Sequence, residues 1–175
     1  MARLLGISGS LRAGSYNSML VREAARVFGP DEFVFADLRL PLFDADLEAR
    51  GMPEDVTRLC DQIRAADAIV ISTPEYNKAP SGVIKNALDW VSRPRPAPMV
   101  GKPVAVMSAA AGIAGGQRST FAFYLMLVAF QVRLINQPEV NVGSASKKFD
   151  ENGRLTDDRA LTALENQMAA LRAAL

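Results

Sequence analysis

The chemistry in this sequence concentrates in one run of ten residues, Ser8-Gly9-Ser10-Leu11-Arg12-Ala13-Gly14-Ser15-Tyr16-Asn17. Hydroxyls, an amide and a guanidinium stand there beside backbone N–H groups that a strand-to-helix turn leaves unpaired. A phosphate monoester carries about −1.5 to −2 charges at neutral pH on three oxygens, so it asks for several converging donors. Ser8, Ser10, Ser15, Arg12 and the positive end of the following helix meet that demand without a metal. Serine, glycine and asparagine are also ordinary turn and N-cap residues. Capping alone, however, does not call for three serines and an arginine in one short turn. No Gly-Lys-Ser/Thr follows, so this is not a Walker loop, and Gly6, Gly9 and Gly14 lack the spacing of a dinucleotide fingerprint. A hydroxyl-rich first turn suits the single phosphate of a mononucleotide flavin better than a pyrophosphate.

A second candidate stretch is Thr73-Pro74-Glu75-Tyr76-Asn77, which runs on towards Ser81 and Gly82. An aromatic side chain, a rigid proline and exposed amides suit a flat heteroaromatic ring. The same residues read equally well as a proline-initiated turn with Tyr76 packed. Elsewhere, absences decide more. The chain has no histidine and one cysteine, Cys60. Ser-His-Asp and Cys-His catalysis and histidine metal sites are therefore excluded. No carboxylate or paired-cysteine metal motif is present, so any chemistry rests on other side chains or on a cofactor.

Both stretches follow apolar runs. Leu4 to Ile7 reads as a buried parallel strand, and Tyr16, Met19, Leu20, Ala24, Val27 and Phe28 fall on one helix face. Phe33 to Ala36 reads as a second strand, and residues 37 to 52 as a long loop. Pro53, in the first turn of a helix with Glu54 and Asp55 behind it, suits the positive dipole end. Val56, Leu59, Cys60 and Ile63 form that helix's inner face, which makes Cys60 core rather than nucleophile. Ala68 to Ile71 is a β-branched core strand, followed by a loop to Ser81 and a helix from Gly82 to about Ser92. Lys85 and Asp89 on that helix read as a surface pair. Val104 to Met107 is a fourth strand, a small-residue loop covers Ala109 to Gly116, and a helix runs from about Arg118 to Gln131. A weaker strand lies within Leu134 to Val142. The last helix opens at Asp157 and Asp158, with Leu161, Leu164, Met168, Leu171 and Leu175 as its stripe. Strands alternating with helices at this spacing predict an α/β fold: a flavodoxin-like, doubly wound, five-stranded parallel sheet of order 2-1-3-4-5. The ends of strands one and three would then flank the switch point, where a ligand crevice opens.

Residues 1–175 fit one domain, able to bury roughly 70% of its unfolded surface. The net charge of +1 gives no reason to expect nucleic acid or a membrane surface as partner. The longest apolar stretch, Phe121 to Phe130, is too short to span a bilayer. With a lone cysteine and no N-terminal signal pattern, a cytoplasmic protein is expected.

Four motifs stand in a familiar order: Gly-Ser-Leu-Arg with Ser-Tyr-Asn (9 to 17), Pro-Leu-Phe-Asp-Ala-Asp-Leu-Glu (41 to 48), Pro-Glu-Tyr-Asn (74 to 77) and Lys-Asn-Ala-Leu-Asp-Trp (85 to 90). Together they resemble the NAD(P)H-dependent FMN reductase family, which includes quinone, chromate and azo-dye reductases of flavodoxin-like fold. The resemblance implies that Ser10, Arg12, Ser15 and Asn17 hold the FMN phosphate, with Leu11 and Tyr16 beside them. It implies that Pro74, Glu75, Tyr76 and Asn77 line the flavin ring and ribityl chain, largely through backbone groups. A third loop in such proteins often carries hydroxyls. Here it reads Ser108-Ala109-Ala110-Ala111-Gly112, which leaves backbone groups, Ala109 among them, to serve.

The activity so implied is NAD(P)H-dependent two-electron reduction of a small-molecule acceptor by a ping-pong mechanism, in a homodimer or homotetramer. Flavin N5 carries the hydride and no catalytic side chain is nominated. A flavodoxin-type electron carrier is the alternative, but such carriers are usually strongly acidic. A phosphoester hydrolase built on the serine turn would lack a general base.

Overall fold

Continuous apolar runs are buried on both faces only inside a sheet that carries helices on either side. In the computed structural model, which describes residues 1–175, the first run forms β1 (Arg3–Ser8), buried from Leu4 onward. The serine turn leads into α1 (Tyr16–Phe28), β2 (Glu32–Phe35), α2 (Ala45–Ala49), α3 (Glu54–Ala65) and β3 (Ala68–Ser72). A hairpin of β4 (Glu75–Tyr76) and β5 (Ala79–Pro80) follows, then α4 (Gly82–Val91) and β6 (Pro103–Ala109). α5 (Gln117–Leu127) continues as a 3-10 turn over Val128–Phe130, and β7 (Arg133–Val142) and α6 (Asp158–Ala173) complete the chain. The main sheet has the order β2-β1-β3-β6-β7 with every neighbouring pair parallel. With the hairpin strands set aside, this is the expected 2-1-3-4-5 order.

Alternate residues of each strand feed opposite layers. Leu5, Ile7, Ile69, Ile71, Val104 and Val106 pack with Trp90 and Phe123 under α3, α4 and α5. Leu4, Val70, Ala105 and Met107 pack with Leu20 and Leu164 under α1 and α6. The register sets Ser8 opposite Ser72 and Ser72 opposite Met107. The three central strands therefore end together, and the loops that follow them meet at one edge of the molecule. No helix is long and apolar enough to cross a membrane.

Local departures from expectation have local causes. The stretch from 37 to 52 is not all loop: Asp44 caps α2 by accepting the Asp46 N–H at 2.9 Å. Its start is fastened to α4. The Pro41 carbonyl accepts from Trp90 Nε1 at 2.8 Å and Asn86 Nδ2 at 2.9 Å, while Asn86 Oδ1 accepts the Phe43 N–H at 2.8 Å. That is a physical use for the Asn86 and Trp90 of the fourth motif. Pro53 is the N-cap of α3, one position before its first turn. The loop after β3 folds back as a hairpin, with Asn77 and Lys78 at φ 51° and 65° forming its tip. The α6 stripe holds through Leu164, Met168 and Leu171, but Leu175 lies beyond the helix and is exposed. Gln167 is buried instead, donating to the carbonyls of Val106 and Pro138. Cys60 is packed core as expected, and burial pushes its thiol pKa up. Lys85 and Asp89 form an exposed pair at 2.7 Å.

Candidate functional site

The serine turn owes its shape to short-range hydrogen bonds. Gly9 N–H donates to the Ser72 carbonyl at 2.8 Å, which carries the chain off the end of β1 beside β3. Ser15 is the N-cap of α1, its hydroxyl accepting the Ser18 N–H at 3.3 Å and its carbonyl the Met19 N–H at 3.0 Å. Ser8 Oγ accepts from Ser18 Oγ at 2.9 Å and is buried, so it serves the turn rather than a ligand. Between these fixed points the backbone N–H groups of Leu11, Arg12, Ala13 and Gly14, and those of Tyr16 and Asn17 at the helix start, donate to no protein acceptor. Arg12 is exposed and donates back to the Gly14 carbonyl at 2.8 Å, its guanidinium 5.9 Å from the centre of the Tyr16 ring. Ser10 is half-buried and Leu11 exposed. A row of free N–H groups beside two hydroxyls and an unpaired cation is a donor set that fits a phosphate monoester.

Asn17 sits differently from its neighbours. Its side chain is buried, and Oδ1 accepts from Ser72 Oγ at 2.8 Å and from the Ala109 N–H at 3.0 Å. Nδ2 donates to the Ala109 carbonyl at 2.9 Å. Most of the amide therefore ties the turn to the ends of β3 and β6, leaving one amide hydrogen and the backbone N–H for a ligand. The same bonds correct the expectation for Ala109. Its N–H is committed to Asn17, its side chain is buried, and the Ala110 N–H is committed to the Val142 carbonyl. Free N–H groups of the third loop begin only at Ala111 and Gly112.

Serine hydroxyls that sequence reasoning passed over bind the three loops together. Ser81 Oγ donates to the Gly9 carbonyl at 2.5 Å, Ser108 Oγ to the Thr73 carbonyl at 2.7 Å, and Ser119 Oγ to the Pro74 carbonyl at 3.1 Å. Gly9 has to be glycine: a Cβ there would stand 2.8 Å from Thr73 Oγ1 and 3.0 Å from Ser81 Oγ. Gly116, at φ +86°, would drive a Cβ to 2.0 Å from Ser108 Oγ. Only the N-cap role of Ser81 carried a local signal, because partners 35 to 72 residues away in sequence become visible only through the topology.

On this frame Pro74 is buried, Tyr76 is 59% exposed at the hairpin tip, and Asn77 is exposed beside it. Tyr76 is thus presented outward, and the reading of it as a packed aromatic is ruled out. Glu75 points inward, Oε1 lying 3.7 Å from Arg118 Nη1. Its Oε2 is buried with no donor, the kind of orphaned acceptor that a ligand N–H beside the loop would satisfy. The residues present therefore fit a flavin mononucleotide at both ends: donors for the phosphate at the turn, and an aromatic, a proline and an unfilled acceptor at the hairpin. No group of His, Cys, Asp and Glu side chains converges to hold a metal.

Comparison with known proteins gives the same direction. The family model for NADPH-dependent FMN reductase matches residues 2–147. An NAD(P)H-dependent FMN reductase of Pseudomonas aeruginosa is 45% identical over 172 residues, covering 97% of this chain and 93% of that protein. A quinone reductase of Escherichia coli K12 is 37% identical over 175 residues, covering 96% and 92%. Among solved structures, FerB of Paracoccus denitrificans, a flavoenzyme NAD(P)H:(acceptor) oxidoreductase, superposes with a TM-score of 0.89 at 30% identity, covering 99% of this chain and 96% of FerB. Motif order, sheet topology, loop architecture and near-full-length identity agree: the chain belongs to the NADPH-dependent FMN reductase family.

Proposed function

We propose that this protein is an FMN-dependent NAD(P)H oxidoreductase delivering two electrons to quinones or similar small acceptors, such as free flavins, chromate, azo compounds and ferric complexes. The observation that carries the reading is the serine turn, where free backbone donors, Ser10, Ser15 and Arg12 line up beside the hairpin at the end of β3. The FMN reductase and quinone reductase relatives supply the reaction class. Bound FMN would supply the redox chemistry, taking two electrons from a reduced nicotinamide and passing them to the acceptor. The chain's own part is to hold and orient. Ser10, Arg12 and Ser15, with the backbone of Leu11, Tyr16 and Asn17, anchor the phosphate, while residues 74 to 77 line the ring and ribityl chain. No side chain acts as acid or base. A reducing cytoplasm suits the buried Cys60 thiol.

Nicotinamide and acceptor would each have to enter the crevice bounded by the serine turn and the hairpin at residues 74 to 77, so they would exchange rather than share it. Initial rates with a quinone varied at several NAD(P)H concentrations should give parallel double-reciprocal lines, with excess quinone competitive against NAD(P)H. Intersecting lines from a ternary complex would overturn the single-crevice scheme. An electron carrier without NAD(P)H oxidation would show negligible turnover in the same assay.

The outer face of α5 supports a homodimer or homotetramer. Phe121 and Leu125, with Val128 in the 3-10 turn that follows, are 53%, 77% and 73% exposed at spacings of four and three. Beside them the Tyr124 hydroxyl is buried without a partner, its pKa pushed up to about 12 by burial and then by Glu139. It is a standing donor at neutral pH. Light scattering at micromolar concentration should give at least twice the 18.9 kDa chain mass, and Leu125→Asp should shift it towards monomer. A monomeric wild type would remove the idea.

A further inference from the structure

A groove of about 1100 Å³ does not lie between the three loops. It opens from the other side of the serine turn and runs along α1 to the end of β2, from Ser10 and Arg12 past Met19 and Arg22 to Phe35 and Arg39. Its volume exceeds the roughly 300–1,000 Å³ of ordinary small-molecule sites, and one end of it is the phosphate cradle itself. A phosphate monoester bound at the turn would occupy only that end.

The charges along this groove are unevenly settled. Glu23, almost wholly buried, holds Arg26 at 3.1 Å and Arg154 at 3.0 Å, and Asp37 holds Arg39 at 3.1 Å. Arg12 and Arg22 pair with no carboxylate. The Arg22 guanidinium stands over the Phe35 ring, its central carbon 4.6 Å from the ring centre, and its N–H donors are used by no protein acceptor. Residues 151 to 154 form a further wall, the tip of a turn whose base pairs Phe149 with Leu155. Phe149 stacks on Tyr16 at 5.7 Å, Arg154 is anchored by Glu23, and Gly153 packs so closely on Met19 that a Cβ would lie 3.2 Å from Cγ. The groove is thus walled and basic, with the Arg22 cation held over an aromatic ring.

A planar guanidinium on an aromatic ring receives a heteroaromatic base on its face and phosphate oxygens on its edge. We infer that this groove binds an adenosine phosphate, the adenylate half of a dinucleotide whose phosphates lie towards Arg12 and whose base lies on Arg22. The inference rests on the reading of the serine turn as a phosphate site. Two dinucleotides carry such a half here: the co-substrate NAD(P)H, and FAD in place of FMN.

The test is calorimetric titration of ADP into the apoprotein and the FMN-loaded protein, for wild type, Arg22→Ala and Arg22→Lys. Saturable ADP binding is expected in at least one form, weakened roughly tenfold or more in Arg22→Ala and less in Arg22→Lys, which keeps the charge but loses the fork. FMN affinity should stay within about twofold in both variants, which also reports that they are folded. A rise in the KM for NAD(P)H larger than any change in kcat would assign the groove to the nicotinamide dinucleotide. A loss of FAD affinity with FMN affinity unmoved would assign it to the flavin dinucleotide. Absent ADP binding, or binding indifferent to both substitutions, would overturn the inference. Failure of FMN to bind wild type would instead defeat the cofactor reading, and ADP binding to the apoprotein would still report on the groove.

Discussion

Replacing Asn17 with alanine should lower folding stability by about 3–5 kcal/mol, the largest loss expected from any polar substitution near the site. Three hydrogen bonds vanish together: from Ala109 N–H, to Ala109 C=O and from Ser72 Oγ. None of these groups reaches water easily, since Ser72 is 0% and Ala109 2% exposed. A buried group stripped of its partner costs about 1–3 kcal/mol, and alanine adds a small void. Against the roughly 5–15 kcal/mol that holds a domain together, that loss should move a urea midpoint by about 2 M, at a slope near 2 kcal/mol/M. FMN affinity should fall as well, because the turn is no longer registered against β3 and β6. A stability change below about 1 kcal/mol would show that the loop ends are held by the serine bonds alone.

Asn17 also marks where the sequence could be read and where it could not. The α/β alternation, the strand order and both candidate loops were legible, because periodicity, Pro and Gly placement and crossover handedness act locally or through general rules. The chemistry of residues 8 to 17 was legible as a donor set for the same reason. What each donor faces was not. Nothing local separates Ser15, which caps the helix beside the free N–H groups, from Ser8, whose hydroxyl is used by Ser10 and Ser18. The amide of Asn17 is diverted by Ala109, a residue 92 positions away in sequence. The same amide holds the end of β6, where the alanine loop begins, against the serine turn. The hairpin was missed because a two-residue ladder leaves no periodicity, and its left-handed tip falls on Asn77 and Lys78 without a glycine to announce it.

The sharpest test of the anchoring falls on the one side-chain cation in the turn. Arg12→Ala should weaken FMN binding by roughly one to two decades, since a hydrogen bond to a charged group contributes about 1.5–3 kcal/mol. The side chain is exposed, and its one internal hydrogen bond, to the Gly14 carbonyl, is replaceable by water. The fold therefore loses little, and the effect should appear in the ligand rather than in the melting curve. Riboflavin separates the two possibilities. It keeps the ring and ribityl chain but lacks the phosphate, so its affinity should change by less than about twofold in the same variant. Arg12→Lys should fall between, as it keeps a positive charge but cannot offer two parallel donors to one phosphate. Salt should divide the variants further: an exposed charge pair is screened over about 10 Å at 0.1 M ionic strength. Wild-type FMN affinity should then drop with added salt more steeply than that of Arg12→Ala. Equal losses for FMN and riboflavin would mean that Arg12 acts by shaping the turn over Tyr16, and the phosphate would then rest on the backbone N–H groups and the serine hydroxyls alone.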